Sequence, residues 1–486
     1  MRDRPEPGAW RPLALWALAL GAFDVFAGFA LRWVGPSYDF APAGRPVVGH
    51  IADRSLTPIP VIQNAPGAWP LLLGLIVAFV IAYFAYDRIL RAKDLRAPFV
   101  WGAFGIGIIA ALAVPFFPTS DPYAYAMYAL EAGPLHLDPY LTHVLPATAS
   151  SWSAPLSAIF PDTQSYVRVS NYGPVAAFAY GLLAWPLSHA PLSVFLYAER
   201  LFGALLVALT GYALSRSAPG EQGLRRVASF ILNPLVILEL IAFAHGDALM
   251  MVFLAFAFAA WKRGAVGAAA ALCVLALATR SVAVLALGAL FLALLRTDRT
   301  ALPRAFVGAA LAGTSIALAS FALYGEVSLG GVPAFNRFSA PLVMLASQFF
   351  ENNALLIGVV IQAAFGAILL VFISRRWWSR PLGSGLAWLP FGALAALPTI
   401  YPHYLTWVVA TGSVSDDERF RAAARVATLI APLFYIVRMN VFPAPGPSPL
   451  ASAAVLLVTW GTLLAYLALR GQPGAALRER SAYGDR

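Results

Sequence analysis

Long apolar runs separated by short polar breaks fill most of this chain. Stretches such as Leu71–Tyr86 and Ala454–Leu469 carry no charged residue and no period-two alternation. Continuous runs of this kind are membrane helices, whereas barrel strands are short and alternate. The pattern predicts spans at about 12–33, 68–88, 98–117, 193–214, 226–243, 247–261, 264–279, 281–296, 303–323, 354–374, 384–401, 402–415, 424–442 and 449–470. One long stretch breaks the rhythm. Residues 118–174 are rich in Pro, Ser and Tyr, too polar to cross a bilayer and too aromatic for a plain tether. The segment 175–188 that follows is apolar enough to span.

Charge decides the orientation and the fate of 175–188. Lys and Arg accumulate on the cytoplasmic side of membrane proteins. They cluster here at Arg2/Arg4/Arg11, Arg88–Arg96, Arg216–Arg226, Lys262/Arg263, Arg296–Arg304, Arg375–Arg380, Arg419–Arg425 and Arg470–Arg486, which takes in 25 of the 33 basic residues. If 175–188 crossed, every later cluster would invert. It therefore reads as a helix at the outer interface, with Trp152, Tyr166, Tyr172 and Trp185 as anchors. Both termini fall inside, and loops 34–67, 118–192 and 324–353 fall outside.

The expected fold is an all-α, polytopic transmembrane protein in four parts. These are N-terminal helices 1–117, a large outer loop with amphipathic helices at 118–192, a helical core at 193–470 and a cytoplasmic tail at 471–486. Composition agrees: 60% of residues are hydrophobic and 12% charged, about half the charged share of a soluble domain. The net charge of +10 is spread between spans and forms no basic patch with stacking aromatics, so no nucleic-acid partner is expected. Leu13–Leu31 follows Arg2, Arg4 and Arg11 without a convincing cleavage site and reads as a first anchor, not a cleaved signal. The single cysteine, Cys273, allows no intrachain disulfide. No Walker loop, GxSxG, HExxH or paired CxxC is present.

The chemistry-bearing residues gather at the outward ends of the spans. Asp121 opens the large loop; an acid there is costly unless paired, hydrated or used. Glu239, His245 and Asp247 surround the turn after 243. Arg280 lies at the next outer turn, His403 with Tyr401 and Tyr404 at another, and Arg438 in the outer part of its span. Each has a structural reading beside the functional one. Asp121 in Ser-Asp-Pro caps a helix. His245 and Asp247 cap a turn, Arg280 snorkels to headgroups, His403 follows a helix-breaking proline, and Tyr123 joins an interfacial belt. Their shared depth favours a pocket for a polar or anionic group. Asp121 with Asp247 could also hold a divalent ion, although no cofactor motif is visible.

Five elements resemble the polyprenyl-phosphomannose-dependent alpha-(1,6)-mannosyltransferases of the GT-C superfamily. They are Ser120-Asp121-Pro122-Tyr123, then Gly133 with Asp138-Pro139-Tyr140, then Tyr172-Gly173-Pro174, then Asn233-Pro234-Leu235 with His245-Gly246-Asp247-Ala248-Leu249-Met250, and last Pro402-His403-Tyr404-Leu405-Thr406-Trp407. Asp138 and Gly246 stand where that family commonly has Asn. The resemblance implies a GT-C-like architecture and a plasma-membrane enzyme. It would move a hexose, mannose by analogy, from a polyprenyl-phosphate donor to a glycan or glycolipid acceptor, with inversion, on the extracytoplasmic face. Asp121 would be the general base. Tyr123, Tyr172, His245, Asp247, Arg280, His403, Tyr404 and Arg438 would bind the donor, with Arg280 and Arg438 on its phosphate. The competing reading is a transporter or flippase of a polyprenol-linked sugar. It predicts inverted repeats and midplane polar sites, and neither is visible.

Overall fold

The computed structural model describes residues 10–34, 57–58, 69–92, 95–114, 116–117, 121–141, 150–153, 155–156, 170, 172–325, 401–415 and 418–436, with a few isolated positions between 360 and 382. Spans 354–374, 384–401 and 449–470 lie almost wholly outside these, as do most of loops 34–67 and 324–353, the C-terminal tail, and Arg438.

Among the described residues the chain is helical: α1 (Trp10–Val34), α2 (Trp69–Arg91), α3 (Ala97–Ala113), α4 (Asp121–Ala132), α5 (Pro174–Ala184), α6 (Leu192–Ser215), α7 (Gly220–Ile231), α8 (Asp247–Lys262), α9 (Val266–Leu277), α10 (Val284–Thr297), α11 (Leu302–Tyr324), α12 (Pro402–Val414) and α13 (Glu418–Ile436). A two-residue parallel bridge joins Thr57–Pro58 to Phe116–Phe117. Among the described residues, four segments are long and apolar enough to cross a membrane: Trp10–Ala27, Leu73–Arg91, Leu192–Ser215 and Arg299–Tyr324. Their outer faces carry exposed Leu18, Leu73, Phe84, Leu205, Leu311 and Phe321. Such surface is costly in water and suits lipid contact.

Helices α1 and α2 pair, α8 packs between α6 and α9, α9 lies against α11, and α12 packs on α13. At the centre sits the stretch 234–244, in contact with α3, α6 and α12 and buried at every residue. The apolar pattern predicts one span over 226–243, and here the structure differs. Helix α7 stops at Ile231; a single turn, Pro234–Val236, follows, and Ile237–Ala242 winds as a π-helix. Pro234 lacks an N–H and clashes with the preceding turn, so an α-helix cannot run through it. Asn233 holds the break. Its side-chain oxygen accepts from Leu235 N at 2.9 Å, and its amide donates to Thr428 Oγ1 on α13 at 2.8 Å.

The helix expected at 175–188 is present as α5 and a short 3-10 turn, Trp185–Leu187. Of its expected anchors among the described residues, only Trp185 is exposed. Trp152 is fully buried; its indole donates to Ala190 O at 2.7 Å and its ring packs on Phe195 at 4.6 Å. Trp152 thus pins loop 150–153 to the entry of α6. Tyr172 is also buried, and Tyr166 lies outside the described residues. Glu199 and Arg200 lie inside α6 and are buried. Arg200 donates to Leu112 O at 3.3 Å and Val114 O at 2.7 Å. These bonds satisfy carbonyls that the end of α3 leaves open.

Candidate functional site

The site begins where the broken span ends. Widening Ile237–Ala242 to π pitch leaves the Glu239 carbonyl able to accept outside the ladder, a recurrent feature of functional positions. His245 N donates to this oxygen at 3.0 Å. Ala244, at φ 54°, takes the left-handed conformation that residues with a Cβ rarely adopt. That turn aims His245 inward instead of continuing the helix. Asp247 then opens α8.

His245 lies between two carboxylates. Its Nδ1 faces Glu239 O at 3.0 Å and Glu239 Oε2 at 3.2 Å. Its Nε2 faces Asp121 Oδ2 at 3.4 Å. Burial alone would lower the imidazole, but hydrogen bonds to Asp121 and Glu239, with both carboxylate charges, outweigh it and raise it to about 10. Asp121 itself sits at the first position of α4, its side chain 40% exposed. It is the exposed end of an otherwise buried Glu–His–Asp chain.

Beside this chain lies a second charged pair. Asp247 is fully buried and accepts from Trp407 Nε1 at 3.1 Å and Tyr172 OH at 3.5 Å. Arg280 Nε stands 3.3 Å from its Oδ1. The guanidinium lies over the Tyr172 ring at 4.4 Å and the Tyr404 ring at 5.2 Å, and Nη2 donates to Tyr404 OH at 2.9 Å. A buried carboxylate needs such a partner and further donors to offset its desolvation. Backbone pairing sets the position of Tyr172. Gly173 N donates to Thr279 O at 2.9 Å and Val175 N to Ala278 O at 3.0 Å. A Cβ on Gly173 would collide with the Ala278 carbonyl, so the Tyr172-Gly173-Pro174 element reaches the Arg280 turn only with glycine there.

His403, at the second position of α12, stacks on His245 with ring centroids 4.0 Å apart. Its Nε2 lies 3.8 Å from Asp247 Oδ2. Tyr404 stacks on Trp407 at 4.7 Å. The structure therefore brings together Asp121, Tyr172, His245, Asp247, Arg280, His403 and Tyr404, drawn from α4, α8, α12 and three separate turns. Tyr123 is placed elsewhere. It is fully buried, and its electrostatic neighbours are Arg200 and Glu199. Tyr125 takes the site position, its hydroxyl 2.8 Å from that of Tyr172. Asp138 Oδ1 accepts from Tyr140 N at 2.7 Å and so closes its own turn.

Three contributors had no role assigned from the sequence: Tyr125, Glu239 and Trp407. Tyr125 and Trp407 carry a readable signal, since each lies four residues after a singled-out residue, Asp121 or His403, on the same helix face. Glu239 was placed at the outer turn with His245 and Asp247, but its contact with His245 was not readable, because a π turn obeys no α-helical spacing.

Gly246 has a packing reason. A Cβ there would meet Tyr180 OH at 3.0 Å and Tyr172 Cε1 at 3.1 Å. The tyrosines occupy the volume that a larger side chain would need. Gly246→Ala is expected to lower stability by about 1–2 kcal/mol, the scale of mild overpacking. Adding Tyr180→Phe removes the closest atom and should recover part of that loss. Thermal unfolding of the two variants checks this; equal loss in both would mean that Tyr172, not Tyr180, sets the limit.

Between α6, α8, α9, α10 and α12 lies an apolar cavity lined by Met251, Leu254, Cys273, Ala286, Trp407 and Ala410, among others. Trp407 belongs to both regions: its N–H serves Asp247 and its ring lines the cavity.

A family model described as alpha-(1->6)-mannopyranosyltransferase, N-terminal domain, matches residues 43–296, just over half the chain. The match takes in Asp121, Tyr172, His245, Asp247 and Arg280 and ends before α12. No curated protein and no solved structure matches the chain.

Proposed function

Because the chain belongs to the alpha-(1->6)-mannopyranosyltransferase family, we propose that it moves mannose from a polyprenyl-phosphate donor to a glycan or glycolipid hydroxyl on the extracytoplasmic face. Membership itself makes it a membrane mannosyltransferase. The donor, the face and the residue roles are our reading.

One observation carries it: a single accessible carboxylate, Asp121, backed by His245 and Glu239, stands next to a cation-bearing aromatic cage and an apolar cavity. In this mechanism the acceptor hydroxyl approaches Asp121. Its oxygen attacks the anomeric carbon of the mannosyl group as its proton passes to the carboxylate. The bond from that carbon to the phosphate oxygen breaks, and the configuration inverts. The polyprenyl phosphate leaves with an added negative charge, which Arg280 and Tyr404 stabilise through donors already oriented by Asp247 and the stacked rings. His245 orients Asp121 by holding its Oδ2 side. The prenyl tail lies along the apolar cavity that Trp407 joins to the charged pair. Placing this chemistry on the outer face follows from the distribution of Lys and Arg.

Sealed, right-side-out membrane vesicles test donor and face together. With polyprenyl-phosphomannose in the bilayer and a membrane-impermeant mannoside outside, product should form without permeabilisation. External GDP-mannose with no lipid donor should give none. Product that requires permeabilisation would overturn the assigned face, and product from GDP-mannose alone would overturn the donor.

A further inference from the structure

We propose that Asp121, His245 and His403 form a binding site for a divalent transition-metal ion. Each offers a ligand atom, and the three atoms lie within 4.8 Å of one another. Four features of the geometry point to a metal in addition to a hydrogen-bonded cluster.

The first is the orientation of His245. A metal-binding imidazole characteristically donates its other N–H to a carbonyl or carboxylate, which fixes the ring and its tautomer. His245 Nδ1 faces both kinds of acceptor on one residue, the carbonyl and the carboxylate of Glu239. That leaves Nε2 directed at Asp121. The second is a distance. Nε2 and Asp121 Oδ2 are 3.4 Å apart, a long hydrogen bond beside the common value of about 2.9–3.0 Å. It is close to the roughly 3.3 Å that separates two ligands at about 2.0–2.1 Å around a tetrahedral ion.

The third is His403. The residue is 2% exposed, and its Nδ1 is buried without a hydrogen-bond partner among the described residues. A buried imidazole nitrogen left unsatisfied is costly and calls for an explanation. Its ring stacks on His245 at 4.0 Å, 21° from parallel, so metal binding requires the His403 ring to tilt until the nitrogens converge. The fourth is charge. Asp121, Glu239 and Asp247 are three carboxylates in one partly buried group, opposed by the guanidinium of Arg280. A divalent ion bound to two neutral imidazoles brings the formal sum to zero. A protonated His245 leaves it negative, before any anionic substrate arrives.

Two imidazoles and one carboxylate suit Zn2+, Mn2+ or Co2+; Mg2+ and Ca2+ prefer oxygen alone. Three protein ligands leave a position open for a substrate oxygen. Asp121 ligates through one oxygen and keeps the other for the acceptor proton.

The test uses full-length protein in detergent, with the affinity tag removed and metal stripped by EDTA. Cobalt(II) is titrated in, with visible absorption and metal content as readouts. Wild type should take up about one Co2+ per chain, with the d–d bands of an N/O site near 500–650 nm. Asp121→Asn and His403→Ala should weaken binding at least tenfold. Glu239→Gln, which removes only the orienting carboxylate, should weaken it by about 10–100-fold. Cys273→Ala should bind like wild type, which excludes the lone thiol as a ligand. If His403→Ala fails to fold, Asp121→Asn decides, because its side chain lies at the accessible edge. Absence of stoichiometric uptake by wild type, or equal affinity in wild type and Asp121→Asn, overturns the site. Neither readout involves sugar transfer, so the outcome is independent of the proposed reaction.

Discussion

Asp121→Asn is expected to lower mannosyl transfer by two to four powers of ten, roughly 3–5 kcal/mol of transition-state stabilisation, with little change in folding. The amide keeps the shape of the carboxylate but has no lone pair basic enough to take the acceptor proton. Because the side chain is 40% exposed, the change strands no buried charge at Asp121 itself. His245 keeps Glu239 as a partner at 3.2 Å. The measurement is single-turnover transfer from polyprenyl-phosphomannose, with thermal unfolding alongside. A variant that unfolds like wild type and transfers at the wild-type rate would remove Asp121 from the chemistry.

Arg280 should show two separable effects. Arg280→Gln leaves Asp247 buried beside an uncharged partner, and breaking a buried pair in this way costs about 3–5 kcal/mol of stability. The double change Arg280→Gln with Asp247→Asn removes both charges and keeps an oxygen for Trp407, so most of the stability should return. Donor use should not return, because the cation facing the leaving phosphate is still missing. Losing such a charged hydrogen bond in a desolvated site amounts to about 2–4 kcal/mol. Arg280→Lys should recover only part, since an ammonium cannot donate to Asp247 and Tyr404 with the planar fork and stack between two rings. The assay is transfer rate against donor concentration, with unfolding of the same preparations. If the double variant uses donor as well as wild type, Arg280 is structural, neutralising Asp247 and nothing more.

These two cases separate what could be read along the chain from what could not. The membrane-length helices follow from uninterrupted apolar runs, because a bilayer imposes one length and one polarity on each span regardless of its neighbours. The prominence of Asp121 follows likewise from an acid at the mouth of such a run. Helix α5 was legible from the apolar run 175–188. The family resemblance was carried by short local strings, and the match over 43–296 bears it out.

Packing decided the rest. That 226–244 is a broken element with a π turn and a left-handed Ala244 is invisible to hydropathy, which reads only that the stretch is apolar. Tyr123 and Tyr125 are alike in composition and lie two apart on one helix, so they face different directions. Only the position of Tyr172, set by backbone bonds from Gly173 and Val175 to the 278–279 turn, selects Tyr125. The pairing of Asp247 with Arg280 and Trp407, and the stacking of His245 on His403, join residues far apart in sequence. Local sequence determined which groups stand near helix ends. The crossing of α4, α8 and α12 against the 278–280 turn determined which of them meet, because contacts between helices depend on their relative position and rotation, and no single helix encodes these.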